Sequence, residues 1–304
     1  MMPGAQPLPR AKPPYHRLMD RIVSSAMPDR AGKSANTRQS GPIMAIGGAE
    51  DKLDDKIILS TFLQLAGGRS ARIVIVPTAS SIEAAGERYK AIFLGLGAEW
   101  AEVIQISDRH DANANRPNEM LDASTGIFLT GGNQMRLSAL VGGTRVAALV
   151  HRRNEAGAVV AGTSAGASIL SSHMVAFGAS GSTPRQRMAT MIAGFGLVPG
   201  VIIDQHFRQR DRIGRLLTLV ASNPGLLGLG IDEDTAALFD HHGTLEVIGR
   251  HSVTIVDGAE MFSDIFQVKG HGDLTVSGAR LHVLTPGRRF DLLKRELLDR
   301  DRSL

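Results

Sequence analysis

The chain has 304 residues, 43% hydrophobic and 21% charged, enough to bury a full core as one large domain or two small ones. No apolar stretch approaches the ~20 residues of a membrane span, the first residues lack the apolar core of a secretory signal, and cysteine is absent, which removes disulfides, zinc–thiolate sites and cysteine nucleophiles together. The formal charge of +4 resides in residues 1–40, which hold seven Lys/Arg against two Asp; the other 264 residues hold 27 basic and 28 acidic groups and carry no nucleic-acid-binding balance.

These features indicate a cytoplasmic protein without a membrane or nucleic-acid partner. Residues 1–40 contain six prolines and little apolar periodicity, and are expected to be a disordered basic tail in which "YHRLMDRIVSSAM" could form a short helix. Residues 41–304 are expected to form a single α/β domain.

From residue 43 onward, "IMAIGG", "RIVIVPTAS", "AEVIQI", "GIFLTGG", "GAVVAGTS" and "VIIDQHF" are short β-branched runs, mostly ending in Gly, Pro, Thr or Ser. Segments of helical periodicity separate several of them, notably "DKLDDKIILSTFLQLAGG" and "IEAAGERYKAIFLGLGAEW". Apolar strands alternating with amphipathic helices predict a mostly parallel, doubly wound sheet covered on both faces, with sites at the carboxyl ends of the strands. After about residue 228 the character shifts to alternating strands, with "HHG" and "SGA" as hairpin turns, so antiparallel strands should extend the sheet. "FDLLKRELLDRDR" predicts a closing amphipathic helix.

The densest motif is "GTSAG" (162–166), which fits G-x-S-x-G, the strand-to-helix turn that exposes a serine. Its glycines permit a strained backbone, and the N–H groups and dipole of the following helix would favour an oxyanion. A turn that merely needs small side chains fits the same five residues. A serine nucleophile also needs a base and a group that orients it.

Of ten histidines, His110, His151, His241, His242, His251 and His271 fall in polar loops, helix surfaces or turns, where a solvated imidazole is expected. His16 lies in the tail, His173 just past the serine helix, and His282 within a late strand. His206 ends the apolar run "VIIDQHF", at the edge where Ser164 should also emerge. Asp204 and the cluster Asp232, Glu233 and Asp234 are candidates for the orienting acid. The resulting order of serine, histidine and acid differs from that of α/β-hydrolases, which argues against an ordinary esterase.

Two elements share this rim. "LTGGNQ" (129–134) offers N–H groups at Gly131 and Gly132 and then presents Asn133 and Gln134, although a simple glycine turn capping a helix fits as well. "HFRQRDRIGRL" sets Arg208, Arg212 and Arg215 on one helical face with Arg210 beside it: a solvated basic face, or a site recognising carboxylates. Glu50 and Asp51 in "GGAEDK" are read as helix-capping residues.

The stretches "GGAEDK", "LTGGNQ", "GTSAGA", "GFGLVPGVIIDQHFRQRDRIGRL" and "GLGIDEDTA", in this order over residues 43–240, resemble the cyanophycinases, serine peptidases related to aspartyl dipeptidases on a class I glutamine-amidotransferase-like scaffold. The resemblance implies Ser164 as nucleophile, His206 as base and Glu233 as the orienting acid. It also implies an oxyanion hole from Ala165 with Gly131 or Gly132, and a substrate pocket drawn from Gln134, Asp204, Gln205, Arg210, Arg212 and Arg215. The implied partner is cyanophycin, a poly-aspartate backbone with arginine on each β-carboxyl, or another β-aspartyl peptide, handled by a homodimer without metal or other cofactor. Whether residues 176–188 form a mobile lid or a fixed rim stays open at this level.

Overall fold

The computed structural model describes residues 39–298; the expected tail with its short helix and His16 lies outside them. Five strands, β1 (Ile43–Ile46), β2 (Arg72–Val76), β3 (Trp100–Val103), β4 (Gly126–Leu129) and β5 (Val159–Thr163), form a parallel block in the order β3-β2-β4-β5-β1. The helices are α1 (Ile57–Leu65), α2 (Ala85–Gly95), α3 (Asn115–Ala123), α4 (Gln134–Val141) and α5 (Arg145–Glu155).

Side chains on these strands alternate between two cores. Met44, Ile46, Ile73, Ile75 and Phe128 pack with Ile58, Leu59 and Phe62 of α1 and Tyr89 and Phe93 of α2. Ala45, Val74, Val76, Ile127 and Leu129 pack on the opposite face with Leu121, Leu137, Val141 and Val146 of α3, α4 and α5. Both faces are covered, which is why the strands read as unbroken apolar runs.

Beyond β5 the chain forms the one-turn α6 (Ala165–Ser168), the hairpin β6 (His173–Gly178) and β7 (Ala189–Ala193), then β8 (Val201–Gln205), α7 (Ile213–Ser222) and β9 (Leu227–Ile231). Next come β10 (Thr235–Phe239), β11 (Thr244–Gly249), β12 (Val253–Asp257), β13 (Phe262–Ser263) and β14 (Val276–Ser277), then β15 (Arg280–Leu284), β16 (Arg289–Asp291) and β17 (Glu296–Leu297). Strands β10, β11, β16 and β17 extend the main sheet antiparallel from β1.

The run "VIIDQHF" does not join that sheet. β8 pairs with β9 in parallel, and β12 and β15 complete a second, four-stranded sheet. One face of it, through Ile203, Leu229 and Ile255, enters the core that holds Ala45 and Val74; the other, through Ile202 and Val256, packs on Leu216 and Val220 of α7. The chain passes from the second sheet to the first at Asp232–Asp234.

Two expectations are corrected in the C-terminal part. "SGA" is not a hairpin turn, because β14 pairs with β13 and β15 with β12. Over residues 290–298 "FDLLKRELLDRDR" is a short hairpin rather than a helix. Phe290 is buried opposite Leu245, and the Asp291 carboxylate accepts the N–H groups of Leu293 and Lys294, which bends the chain back before a helix can start.

Candidate active site

Ser164 follows β5 directly, with φ 52° and ψ −109°. That turn needs its glycines: a β-carbon on Gly162 would lie 2.0 Å from the carbonyl oxygen of Gly166, and one on Gly166 2.3 Å from that of Leu129. The helix behind the serine, α6, is only four residues long. Its dipole is therefore small, and stabilisation of an oxyanion falls to individual N–H groups. Those of Ala165, Gly131 and Gly132 make no hydrogen bond among the described residues. Gly131 abuts the serine, since a β-carbon there would lie 3.3 Å from Ser164 Cβ.

His206 follows β8 with φ 47°. Its Nε2 lies 2.9 Å from Ser164 Oγ, and its Nδ1 lies 2.6 Å from Glu233 Oε1. With Glu233 ionised, Nδ1 carries the proton and Nε2 is free to accept the serine's. Burial depresses the His206 pKa, the positive charges of Arg210 and Arg212 add to the depression, and Glu233 opposes it without cancelling it. The imidazole is thus neutral around pH 7, as a base must be.

The four acids considered from sequence separate by partner. Asp232 accepts Ser252 Oγ at 2.9 Å and the N–H of Arg208 at 3.1 Å; Asp234 pairs with Arg250 Nε at 3.0 Å. Asp204 is fully buried and its carboxylate is shared by Arg212 and Arg215, with Arg215 Nε at 2.6 Å and Arg212 Nη1 at 3.3 Å. Glu233 is the one that meets the imidazole.

The arginines separate too. Arg212 and Arg215 are buried and bound to Asp204, an internal ion cluster beneath the site. Arg208 is exposed and lies 3.6 Å from Asp232. Arg210 is exposed and has no carboxylate partner among the described residues. Gln205 Oε1 stands 3.4 Å from Ser164 Oγ and accepts from Arg212 at 3.2 Å. Gln134 donates its amide to the carbonyls of Val175 at 3.1 Å and Ala176 at 2.7 Å, tying α4 to β6.

The segment after β1 plays a larger part than capping. Ile46 O accepts the Ser164 N–H at 2.9 Å, Gly47 O accepts that of His206 at 2.8 Å, and Gly48 O accepts that of Asp234 at 2.9 Å. Three consecutive carbonyls, from Ile46 to Gly48, therefore fasten all three loops of the relay. Asp51 does organise the approach to α1, accepting the N–H groups of Leu53, Asp54 and Lys56, which hold its carboxyl far below the usual range.

Glu50 caps nothing. It is buried under the serine turn, accepting Thr163 Oγ1 at 2.6 Å and the Tyr89 hydroxyl, with Lys52 Nζ at 2.9 Å. Burial raises its pKa, but the Lys52 charge and the Thr163 and Tyr89 hydrogen bonds outweigh that and keep it ionised.

Among the other histidines, His151 is not solvated: its Nε2 lies 2.7 Å from Phe195 O. His282 packs edge-on against Phe290. Among the described residues, one trio of metal-ligand types, Asp108, His110 and Asp111, lies in a surface turn after β3, three strands from β5, where Asp111 and Asp108 accept turn N–H groups.

The family model described as peptidase family S51 matches residues 43–247. A protein named cyanophycinase from Trichormus variabilis is 42% identical over 289 residues, covering 93% of this chain and 96% of its own. One of the same name from Synechococcus elongatus is 41% identical over 255 residues, covering 83% and 79%. Among solved structures, a peptidase from an acI-B1 actinobacterium superposes with a TM-score of 0.59 at 21% identity over 81% of this chain and 98% of that one, a likeness of fold.

Proposed function

The chain belongs to peptidase family S51, and from that membership we propose that it is a serine exopeptidase that hydrolyses cyanophycin to β-aspartyl-arginine dipeptides through an acyl-enzyme. The single observation that carries the reading is the Ser164–His206–Glu233 relay, closed at 2.9 and 2.6 Å inside this family's matched span.

In the proposed mechanism Ser164 Oγ attacks the backbone carbonyl of an aspartyl residue while Nε2 of His206 takes its proton. Glu233 holds the imidazole in that tautomer and stabilises the imidazolium. The free N–H of Ala165, with that of Gly131 or Gly132, supports the oxyanion. Nε2 then protonates the leaving amine; water, deprotonated by the same nitrogen, hydrolyses the acyl-enzyme and restores the serine.

In this reading the pocket residues divide by depth. Asp204, Arg212 and Arg215 form a rigid floor, while Arg210 meets a substrate carboxylate with Gln205 beside the scissile bond. Residues 41–304 act as one peptidase domain. A cytoplasmic location accords with the absence of cysteine, and no helix among the described residues is long and apolar enough to cross a membrane. A homodimer accords with the exposed edge strand β15, where Leu281 and Val283 are each more than half exposed.

The test is release of β-aspartyl-arginine from cyanophycin by the purified protein, assayed beside ordinary aspartyl and isoaspartyl dipeptides. Ser164→Ala should lose roughly 1,000-fold or more of the rate while folding normally. Full activity in that variant would overturn the reading, and a preference for small isoaspartyl peptides would shift it to a dipeptidase.

A further inference from the structure

We propose that a cationic groove beside the active site binds repeat units of the polymer lying beyond the scissile bond; the proposal rests on the cyanophycin reading above. The groove, of about 460 Å³, is lined by Phe177, Gly178, Arg185, Arg187, Met188 and His271 among others, and none of its lining residues is acidic. It lies between the β6–β7 hairpin and the loop that carries His271.

Its connection to the site is direct. The carbonyl of Ala176 accepts Gln134 Nε2 at 2.7 Å, and that of Gly178 accepts Arg215 Nη1 at 3.3 Å. Phe177, between these two anchors, turns its ring outward and is 59% exposed. Within three positions one strand thus carries the contact to Gln134, a wall residue of the groove and the contact to Arg215, which shares Asp204 with Arg212.

The segment is fastened, which answers whether 176–188 is a lid or a rim. Gly181 N–H donates to Asp211 O at 2.6 Å, and its carbonyl accepts from Gly214 at 3.0 Å. The backbone of Arg185 exchanges hydrogen bonds with Thr218 Oγ1 of α7, and Gln186 N–H donates to Gly272 O at 2.9 Å. Arg187 stands at φ 60°, an unusual backbone for a residue with a side chain. It is a fixed rim, and its cations are held in place by backbone.

The chemistry matches a zwitterionic polymer. Each repeat carries a carboxylate and a guanidinium on its arginine. Arg185 and Arg187 are exposed and without carboxylate partners among the described residues, so both can pair with such carboxylates. The face of Phe177 is open to a guanidinium. The positive charge is local, because residues 41–304 hold 27 basic against 28 acidic groups.

The experiment compares kcat/KM on the polymer and on a two-repeat peptide for wild type, Phe177→Ala and the double variant Arg185→Ala/Arg187→Ala. The double variant should lose about 10-fold on the polymer at low ionic strength, less at high, with hydrolysis of the two-repeat peptide unchanged. Equal losses on both substrates, or none on the polymer, overturn the groove. So does a dimer that becomes monomeric in the variants during sedimentation, which would make the groove a subunit contact. Wild type that hydrolyses neither substrate defeats the functional reading itself, whereas active wild type with indistinguishable variants defeats only the groove.

Discussion

Gly48 and His206 are packed so closely that no side chain fits between them: a β-carbon on Gly48 would lie 2.3 Å from Cε1 and 2.5 Å from Nε2 of the imidazole. Gly48 also has φ +97°, and its carbonyl holds the Asp234 N–H next to Glu233. The imidazole is therefore placed by backbone on one side and by Glu233 on the other. Of the eight positive-φ residues other than glycine among the described residues, four, Ala49, Ser164, His206 and Asp234, gather here, so the relay is built from turns whose strain the surrounding hydrogen bonds must hold.

Gly48→Ala should push the imidazole off the serine and lower kcat/KM by at least about 100-fold, since a misplacement of 1 Å costs that much. Circular dichroism should show an unchanged fold. Gly95→Ala, at the end of α2 where a β-carbon meets nothing within 4 Å, is the control and should leave the rate intact. Wild-type kinetics in Gly48→Ala would show that the imidazole needs no such wall.

The pH profile should follow His206. Burial, with Arg210 and Arg212, lowers its pKa, so the rising limb of kcat/KM belongs below the ordinary histidine value of about 6.5. Arg210→Ala removes a positive charge and should move that limb to higher pH. Glu233→Gln removes the influence that raises the pKa, so the limb should move lower while the rate falls roughly 1,000-fold or more with loss of the tautomer. Opposite displacements by the two variants are the signature to look for.

Glu50 and Thr163 should act as one unit. Glu50→Gln and Thr163→Val each release the last strand residue before Ser164, and kcat should fall about 10- to 100-fold with KM little changed, because the loss is in placing the nucleophile. The double variant should be hardly worse than either single one, measured as a double-mutant cycle. Additive losses would mean that the two residues do not cooperate in holding the turn.

Ser164 and His206 were legible because each ends an apolar run, the position where α/β sheets expose side chains. The two-sheet arrangement was not legible: β8 and β5 have the same buried-strand pattern, and periodicity does not say which strand a run will pair with. Glu50 was hidden for a related reason, since "GGAEDK" shows an acid before a helix, and only tertiary packing puts Tyr89 and Thr163 around it. The pairing of Asp204 with Arg212 and Arg215 was not legible either, because spacing records which side chains share a side and not whether they neutralise one another.

That neutralisation leads to a prediction about stability. Asp204 is fully buried with two buried guanidinium groups on it, so Asp204→Asn leaves cations without their charge partner. Removing one member of such a cluster costs about 3–5 kcal/mol. With each kcal/mol lowering Tm by roughly 2–4 °C, thermal unfolding should move down by roughly 6–20 °C. Replacing Asp204, Arg212 and Arg215 together by apolar residues of similar volume should restore much of that stability, because no unpaired charge remains buried. If Asp204 instead served mainly as a substrate contact, Asp204→Asn would raise KM and leave Tm unchanged. Differential scanning calorimetry and steady-state kinetics on the same preparation separate the two outcomes.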